Sequence, residues 1–261
     1  KVLYHWRVIA TSTAFSIETK PYALAGQRSA VDKYLREIKV SGESYHVGAE
    51  LLIDWKNEKK DNPVLFVKTH NSSYFRDFLS DIQSGDKENI FANAKEVFIF
   101  HDYNINSKPD KVLGVNYKFV SYKPGEYFSK LVSTASKLTD ETILFYDDRI
   151  QTDVSLKSIK DLQGWMQVSG VKAVAPRVNG QNDFSLDCGA VITTEGIKPL
   201  FSGSPPYHQA AIGNVEWVRD MRVLNPYVFV TSGAFVSAID KKLIAEIADD
   251  DLVHTAMHIA L

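Results

Sequence analysis

The sequence predicts an α/β protein whose main domain contains a mixed, mostly parallel sheet with helices on both faces. Two apolar runs, at residues 64–67 and 96–100, are short and almost uninterrupted, as expected for strands buried on both sides. A third run, at residues 142–146, has the same character, and helical patterns separate the three runs. Strands that alternate with helices in this way are typical of parallel sheets covered on both faces.

The other elements follow from apolar spacing and from breaker residues. Helices are predicted where apolar residues recur at helical spacing, at residues 20–39, 74–83, 127–137, 156–168 and 241–248, with a last helix starting near 249. Further strands are predicted at residues 1–10, 45–55, 118–120 and 171–175, with a strand pair inside 183–193. Residues 194–225 are rich in Gly, Pro and polar side chains, which predicts loops, and residues 228–239 form one more apolar segment.

A charged segment at residues 56–62 is the best candidate domain boundary. We therefore expect a small α+β extension or inter-domain linker over residues 1–61, built as strand, helix and strand, and a main domain over 62–261. The sequence starts without Met and ends inside a predicted helix. For that reason we expect it to be a piece of a longer chain.

Composition narrows the class of protein. The 261 residues are 44% hydrophobic and carry a net charge of -2, which argues against a strongly basic nucleic-acid surface, so no nucleic-acid partner is expected. The single cysteine, Cys188, cannot form an internal disulfide, which favours a reducing, cytoplasmic compartment. No apolar run approaches the roughly 18 residues that a membrane-spanning helix needs.

The most informative residues are Asp147 and Asp148, which stand where the third apolar run ends. Ligands of open α/β sheets bind beyond the carboxyl ends of the strands, and Mg²⁺ or Mn²⁺ needs hard oxygen ligands of this kind. Thr69 and Asp102 follow two other strands, so we expect them at the same edge of the sheet. The alternative is that the two aspartates simply begin a solvated loop.

A second acidic cluster, Asp249-Asp250-Asp251, opens the last predicted helix. Free backbone amides and the helix dipole stabilise carboxylates at such a position, so capping alone would explain the cluster. The functional alternative is that one carboxylate faces the same crevice as Asp148 and acts as a general base.

Four stretches carry a recognisable pattern: Val64 to Thr69, Phe145-Tyr146-Asp147-Asp148, Thr231-Ser232-Gly233-Ala234-Phe235 and Asp249-Asp250-Asp251-Leu252. They resemble motifs of the family 2 glycosyltransferases, which have the GT-A (nucleotide-diphospho-sugar transferase) fold, and look closest to bacterial polysaccharide-assembling proteins that carry such domains in tandem. In that family the first stretch would be the first strand, the second the metal motif, the third a later acceptor-side strand and the fourth the catalytic-base motif. Residues 2–26 resemble the segment that links two such domains.

The resemblance implies that a sugar moves from a nucleotide diphosphate donor to an acceptor hydroxyl, with inversion. Asp148, with Asp147, would hold a divalent cation, Mn²⁺ or Mg²⁺. Thr69, Asp102 and Asp147 would contact the nucleotide sugar, and Asp249 would be the catalytic base. The implied partners are a glycan or lipid-linked acceptor, a neighbouring transferase domain in a longer chain, and the inner face of a membrane, where the protein would bind peripherally.

Departures from the family pattern keep a second hypothesis open. Lys68 replaces the Pro of the first strand, Tyr146 replaces the first acid of the metal motif, and Ala248 replaces the residue before the base. A catalytically degenerate domain, acting as a scaffold or binding module beside an active one, would carry such losses. Phosphate-loop and dinucleotide-binding glycine motifs are absent from the sequence. Because the histidines lack zinc-ligand spacing, surface or core roles are expected for them, His70 included.

Overall fold

The structure of the chain is a computed structural model, which describes residues 21–47, 50–56, 62–84, 90–105, 111–112, 114–150, 156–210, 213–215, 218–221, 223–240 and 242. The described residues divide into two compact units. One unit falls within Lys1–Lys60 and includes Gln167–Ser169, and the other falls within Asp61–Met166 and Gly170–Leu261. Within these described segments, no helix combines the length and the apolar character needed to cross a membrane.

The first unit contains one helix packed against a hairpin. The elements are α1 (Pro21–Glu37), β1 (Gly42–Val47) and β2 (Glu50–Trp55), and the two strands pair antiparallel. Leu35 of the helix and Trp55 of the second strand are buried. The helix is predicted correctly by the apolar stripe. The single strand predicted at 45–55 is wrong, because two short strands form a hairpin there.

The second unit contains the remaining elements. Its helices are α2 (Ser72–Ser84), α3 (Tyr127–Ala135), α4 (Leu156–Trp165) and α5 (Gly233–Ala238). Its strands are β3 (Val64–Lys68), β4 (Glu96–His101), β5 (Lys111–Val112), β6 (Val115–Ser121), β7 (Thr142–Asp147), β8 (Ala173–Val174), β9 (Val178–Asn179), β10 (Ser185–Asp187), β11 (Ala190–Thr193), β12 (Gly196–Pro199), β13 (Gln209–Ala210), β14 (Gly213–Asn214) and β15 (Val228–Ser232).

Seven of the described strands form the main sheet, in the order β5-β6-β4-β3-β7-β15-β8. The four strands β6, β4, β3 and β7 pair in parallel, β15 runs antiparallel between β7 and β8, and β5 pairs antiparallel at the other edge. A mixed α/β fold with a mostly parallel sheet, as the sequence predicts, is therefore confirmed. The strands that follow β3 in sequence lie on both sides of it in the sheet, with β4 on one side and β7 on the other.

Helices cover both faces of this sheet. One face packs under α3 and α5, and its core includes Phe66, Phe100, Phe145, Phe229 and Leu131. The other face packs under α2 and α4, and its core includes Leu65, Ile99, Leu144, Val230, Phe78 and Ile159. Successive residues of β3 and β7 alternate between the two cores, as side chains of a strand must. Burial on both sides explains why the sequence of these strands is almost purely apolar.

Two predictions about the later part of the chain need correction. The strands around Cys188 exist, but β10 pairs with β9 and β11 pairs with β12, so they do not pair with each other. Segments predicted as loops contain the short strands β12, β13 and β14. The strand predicted at residues 1–10 and the last helix, from 249, lie outside the described residues, as does the helix predicted at 241–248 apart from residue 242.

The apolar segment 228–239 contains a strand and then a helix. Ser232 caps the helix α5 by accepting a hydrogen bond from the backbone N–H of Phe235, so Gly233-Ala234-Phe235 is helical. Because β15 runs antiparallel to β7, Ser232 pairs with Thr142 at the amino end of β7. The motif expected as a strand is therefore a strand only at Thr231-Ser232 and a helix from Gly233 onward, and Gly233 lies at the edge opposite Asp147.

Gly233 is required there by close backbone contact. Its N–H donates to the carbonyl oxygen of Glu141, and a Cβ added at Gly233 would lie 1.9 Å from the carbonyl oxygen of Leu138. Real side chains do not tolerate this distance, so the turn before β7 and the start of α5 would have to separate.

We predict that Gly233→Ala destabilises the protein by at least about 2 kcal/mol, because the methyl group overpacks rigid backbone. Chemical unfolding measures the loss. Gly180→Ala is the matched control, because a Cβ there would meet only the carbonyl oxygen of Phe184, at 3.7 Å. The control should change stability by less than about 0.5 kcal/mol. Equal effects of the two variants would contradict the close approach at Gly233.

Candidate functional site

The candidate site lies where the strands β3 and β7 end side by side. Their parallel register places Lys68 opposite Asp147. Just beyond that pair, the N–H of Asp148 donates to the carbonyl oxygen of Lys68 at 3.1 Å. The segment Thr69-His70 therefore lies against Asp147-Asp148 at the carboxyl edge of the sheet, which is the edge where open α/β sheets bind ligands.

Asp147 is buried and its carboxylate is engaged by two neighbours. Oδ1 accepts hydrogen bonds from the backbone N–H and Nε of Arg149, and Oδ2 accepts one from a terminal nitrogen of Arg149, at 2.7 to 3.0 Å. Nε2 of His70 also lies 3.0 Å from Oδ2. Burial raises the pKa of Asp147, but the hydrogen bonds from His70 and Arg149 outweigh it and hold the pKa well below its ordinary value.

Asp148 is also buried, with 6% of its surface exposed, but it has different partners. Its two oxygens lie 3.3 Å from the backbone N–H of His70, and Thr69 donates a hydrogen bond to the carboxylate. Burial is the largest influence and raises the pKa of Asp148 to about 6, although Thr69 and His70 both oppose the shift. The negative charge of Asp147 raises the pKa further. The two adjacent aspartates thus differ sharply in how well their charge is compensated.

Tyr103 extends the hydrogen bonding away from Asp148. The hydroxyl oxygens of Thr69 and Tyr103 lie 2.5 Å apart. Burial raises the pKa of Tyr103 to about 12, so the phenol keeps its proton. The hydroxyl groups of Tyr103 and Thr69 thus lie together beside the carboxylate of Asp148, and Thr69 lowers the pKa of that carboxylate.

The sequence-predicted residues occupy the following places. Thr69 is fully buried and its N–H donates to the carbonyl oxygen of Phe100 in the neighbouring strand. Asp102 follows β4 and is exposed, and its charge and that of Asp148 both act on the Tyr103 hydroxyl. Asp147 ends β7 and Asp148 follows it, both buried, so the alternative of a merely solvated loop is wrong. Asp249 lies outside the described residues.

Two residues at this edge, Tyr146 and Lys68, differ from the pattern of the family that the sequence resembles, and both side chains are buried. Tyr146 is buried, its ring packs against Phe78 and Phe91, and its hydroxyl donates to the carbonyl oxygen of Ile150. Tyr146 thus fixes the loop that follows the aspartates and supplies no carboxylate. Lys68 is buried, with Nζ 4.9 Å from the centre of the Tyr127 ring.

His70 is the site residue that sequence reasoning missed. A surface or core role was expected, because no second ligand stands near it in the sequence. In the structure its imidazole reaches Asp147, 77 residues away, across the β3–β7 boundary. His70 could have been identified from its position. It follows Thr69 at the end of β3, and β3 pairs in parallel with β7, which ends in Asp147.

A divalent cation fits this group of side chains. Nitrogen or carboxylate oxygen atoms of His70, Asp147 and Asp148 all lie within 4.8 Å of one another. Asp148 brings a buried carboxylate whose negative charge is under-compensated, and cation binding relieves that condition. The donor set at this edge of the sheet is therefore suited to holding a metal ion.

Comparison with known proteins adds no identification. A scan against protein-family models gave no match, and no curated protein matches the sequence significantly.

We predict that the two adjacent aspartates respond oppositely to neutralisation in the metal-free protein. Asp147→Asn should destabilise it by about 2 kcal/mol or more at pH 7.5, because Arg149 and His70 lose a charged acceptor. Asp148→Asn should stabilise it by about 1–3 kcal/mol, because burial of an ionised carboxylate is relieved. Urea unfolding in the presence of a chelator measures both free energies of unfolding.

The pH dependence gives an internal control. The lowered pKa of Asp147 contributes stability that is present above about pH 4 and is lost at lower pH. The raised pKa of Asp148 imposes a cost that grows between about pH 4 and pH 6 and is constant above that range. The difference between Asp148→Asn and the wild type should therefore shrink as pH falls from about 6 to about 4, and that between Asp147→Asn and the wild type as pH falls below about 4. Loss of stability of the same size in both variants at neutral pH would contradict the assignment.

Proposed function

We propose that the chain is a metal-dependent glycosyltransferase of the GT-A fold, which moves a sugar from a nucleotide diphosphate donor to an acceptor hydroxyl. The observation that supports it most is the buried carboxylate of Asp148, poorly compensated and located at the ligand-binding edge of a parallel sheet beside a fully engaged Asp147. A carboxylate in that condition is stabilised when a divalent cation and its phosphate ligands arrive.

The strand order supports a nucleotide at the same edge. β4 and β7 flank β3, so the segments that follow all three strands border one region of the carboxyl edge. Thr69 and Asp102 follow two of these strands, and in this proposal they contact the nucleoside. Asp148, with Asp147, holds the cation that binds the diphosphate.

In the proposed reaction, the side chains of the site would have separate roles. When bound, the cation neutralises negative charge that grows on the leaving diphosphate. The acceptor hydroxyl oxygen forms a bond to the anomeric carbon as the bond from that carbon to the diphosphate oxygen breaks, and configuration inverts. Asp249 takes the hydroxyl proton. Arg149 and His70 keep Asp147 ionised and fixed beside Asp148, so Asp147 does not compete for the acceptor proton.

The biological setting follows from the same family resemblance. We place the reaction in bacterial surface polysaccharide or glycan assembly, in the cytoplasm at the inner face of the membrane, with a glycan or lipid-linked acceptor. A neighbouring transferase domain in a longer chain belongs to this proposal.

A second candidate function is a degenerate domain that binds or positions a partner for an active neighbour. The burial of Tyr146 among aromatic rings favours it, because the position that would be acidic in the family motif contributes only to the core. This alternative predicts no response to nucleotide sugars.

We predict that a nucleoside diphosphate with Mn²⁺ raises the melting temperature of the wild type. At about 100 times Kd the stabilisation is about 2.7 kcal/mol, roughly 5–10 °C for a protein of this size. Asp148→Ala should abolish the shift, because the cation loses its main ligand. The shift, and not the absolute melting temperature, is compared, since neutralising Asp148 raises the starting stability.

Asp140→Ala is the matched control for that experiment. Asp140 is an exposed carboxylate just before the amino end of β7, at the edge opposite Asp148. Its loss should leave the nucleotide-dependent shift intact. The absence of any shift with uridine, guanosine, thymidine, adenosine or cytidine diphosphates would favour the scaffold function.

Catalysis has a separate test. The wild type should slowly hydrolyse its nucleotide sugar when Mn²⁺ is present, and Asp249→Asn should slow this about a hundredfold, because water loses its general base. Asp251→Asn is the control within the same acidic cluster. Equal hydrolysis by wild type and Asp249→Asn would remove Asp249 from the role of base.

A further inference from the structure

The position of His70 gives the candidate metal site a nitrogen donor. The backbone N–H of His70 faces both oxygens of Asp148, and its Nε2 faces Oδ2 of Asp147. The side chain of His70 is 18% exposed, against 3% for Asp147, so the imidazole is the more accessible of these two donors.

The spacing of the donor atoms matches metal coordination. Nε2 of His70 and Oδ2 of Asp147 are 3.0 Å apart. Two adjacent ligands of an octahedral ion with bonds of about 2.1 Å are also about 3.0 Å apart. A cation can therefore be shared by the two atoms that now share a hydrogen bond, once the imidazole turns so that the lone pair of Nε2 faces the ion. The parallel pairing of β3 with β7 fixes the backbone on both sides.

The remaining contacts of Asp147 are compatible with this geometry. Arg149 binds the carboxylate through its backbone N–H and two side-chain nitrogens, and these bonds hold the plane of the carboxylate. A cation between Asp147 and His70 replaces only the contact with the imidazole. Arg149 therefore acts as a positioning residue, in the way that hydrogen-bonded neighbours orient metal ligands elsewhere.

We propose that His70 is a direct ligand of the cation and that its imidazole makes the site select Mn²⁺ over Mg²⁺. Both cations bind carboxylate oxygens, but Mg²⁺ keeps to oxygen ligands in near-ideal octahedra, whereas Mn²⁺, the weakest binder in the transition-metal series, accepts an imidazole nitrogen more readily than Mg²⁺ does. The inference concerns the same site as the proposed transferase and rests on that proposal for its biological meaning. Ion binding itself needs no nucleotide.

The test is direct binding of Mn²⁺ to the metal-free protein without nucleotide. The electron paramagnetic resonance signal of free Mn²⁺ reports binding, and competition with Mg²⁺ gives the ratio of the two affinities. The wild type should prefer Mn²⁺ by about tenfold or more. His70→Gln replaces the nitrogen with an amide oxygen, so Mn²⁺ affinity should fall about tenfold while Mg²⁺ affinity stays within about threefold.

His208→Gln is the matched control, because His208 is exposed and outside the group of donor atoms. It should leave both affinities unchanged. If His70→Gln fails to fold, pulsed paramagnetic resonance of the wild type still decides the question, since a bound imidazole gives nitrogen hyperfine coupling on Mn²⁺. An unchanged Mn²⁺ to Mg²⁺ ratio in His70→Gln, or bound Mn²⁺ without nitrogen coupling, overturns the proposal.

The outcomes also separate this proposal from the proposed function. A nucleotide-dependent shift that persists in His70→Gln and is as large with Mg²⁺ as with Mn²⁺ overturns the His70 ligand and leaves the transferase standing. Mn²⁺ binding that depends on His70, with no response to any nucleotide, supports the ligand and overturns the transferase. Failure of the wild type to bind Mn²⁺ at millimolar concentration, with or without nucleotide, overturns both.

Discussion

The parallel pairing of β3 with β7 sets Lys68 opposite Asp147, and every feature of the candidate site depends on that register. It places the N–H of Asp148 on the carbonyl oxygen of Lys68, and it brings the imidazole of His70 to Asp147. A slip of one residue would exchange the two faces of the strand and send Asp147 into the opposite core. The aromatic residues that pack on either side of the sheet, such as Phe66 against Phe145, prevent that slip.

Within this frame, the two adjacent aspartates have different physical roles. Asp147 is compensated by Arg149 and His70, and its charge stabilises the folded protein. Asp148 is buried with weaker compensation, and its charge costs stability. Neighbouring carboxylates whose pKa values are pushed apart are a common arrangement in sites that handle charge, because one carboxylate orients and the other reacts or binds. Burial of the ionised Asp148 carboxylate lowers the stability of the folded protein. A cation and a diphosphate that bind beside it would offset this loss, which gives the arrangement a functional purpose.

The strand β15, which pairs with β7, also helps to position the residues of the site. The carbonyl oxygen of Tyr227, just before β15, accepts the N–H of Asp147. The ring of Tyr227 lies 5.8 Å from the guanidinium of Arg149. Buried Asn225 fixes this corner, since its oxygen accepts the N–H groups of Tyr227 and Val228 and its amide donates to the carbonyl oxygen of Pro176. The antiparallel strand thus positions Arg149, and through it Asp147.

The strands β3, β4 and β7 could be predicted from the sequence, because burial on both faces leaves an unbroken apolar run in each of them. Sequence patterns failed where a segment is short or changes type, because a short apolar run does not distinguish strand from helix. In 228–239 the capping Ser232 was the available signal for the helix α5. Asp147 and Asp148 were found because two acids in sequence mark a strand end. His70 was missed because its partners are distant in sequence and only the strand register brings them together.

The most direct test of a cation held by His70, Asp147 and Asp148 is the anomalous diffraction of Mn²⁺ in crystals grown with a nucleoside diphosphate. We expect one strong peak within coordination distance of Asp148, Asp147 and Nε2 of His70, with phosphate oxygens on its open side. A peak elsewhere, or a nucleotide bound at another edge of the sheet, would rule out a transferase site at this edge.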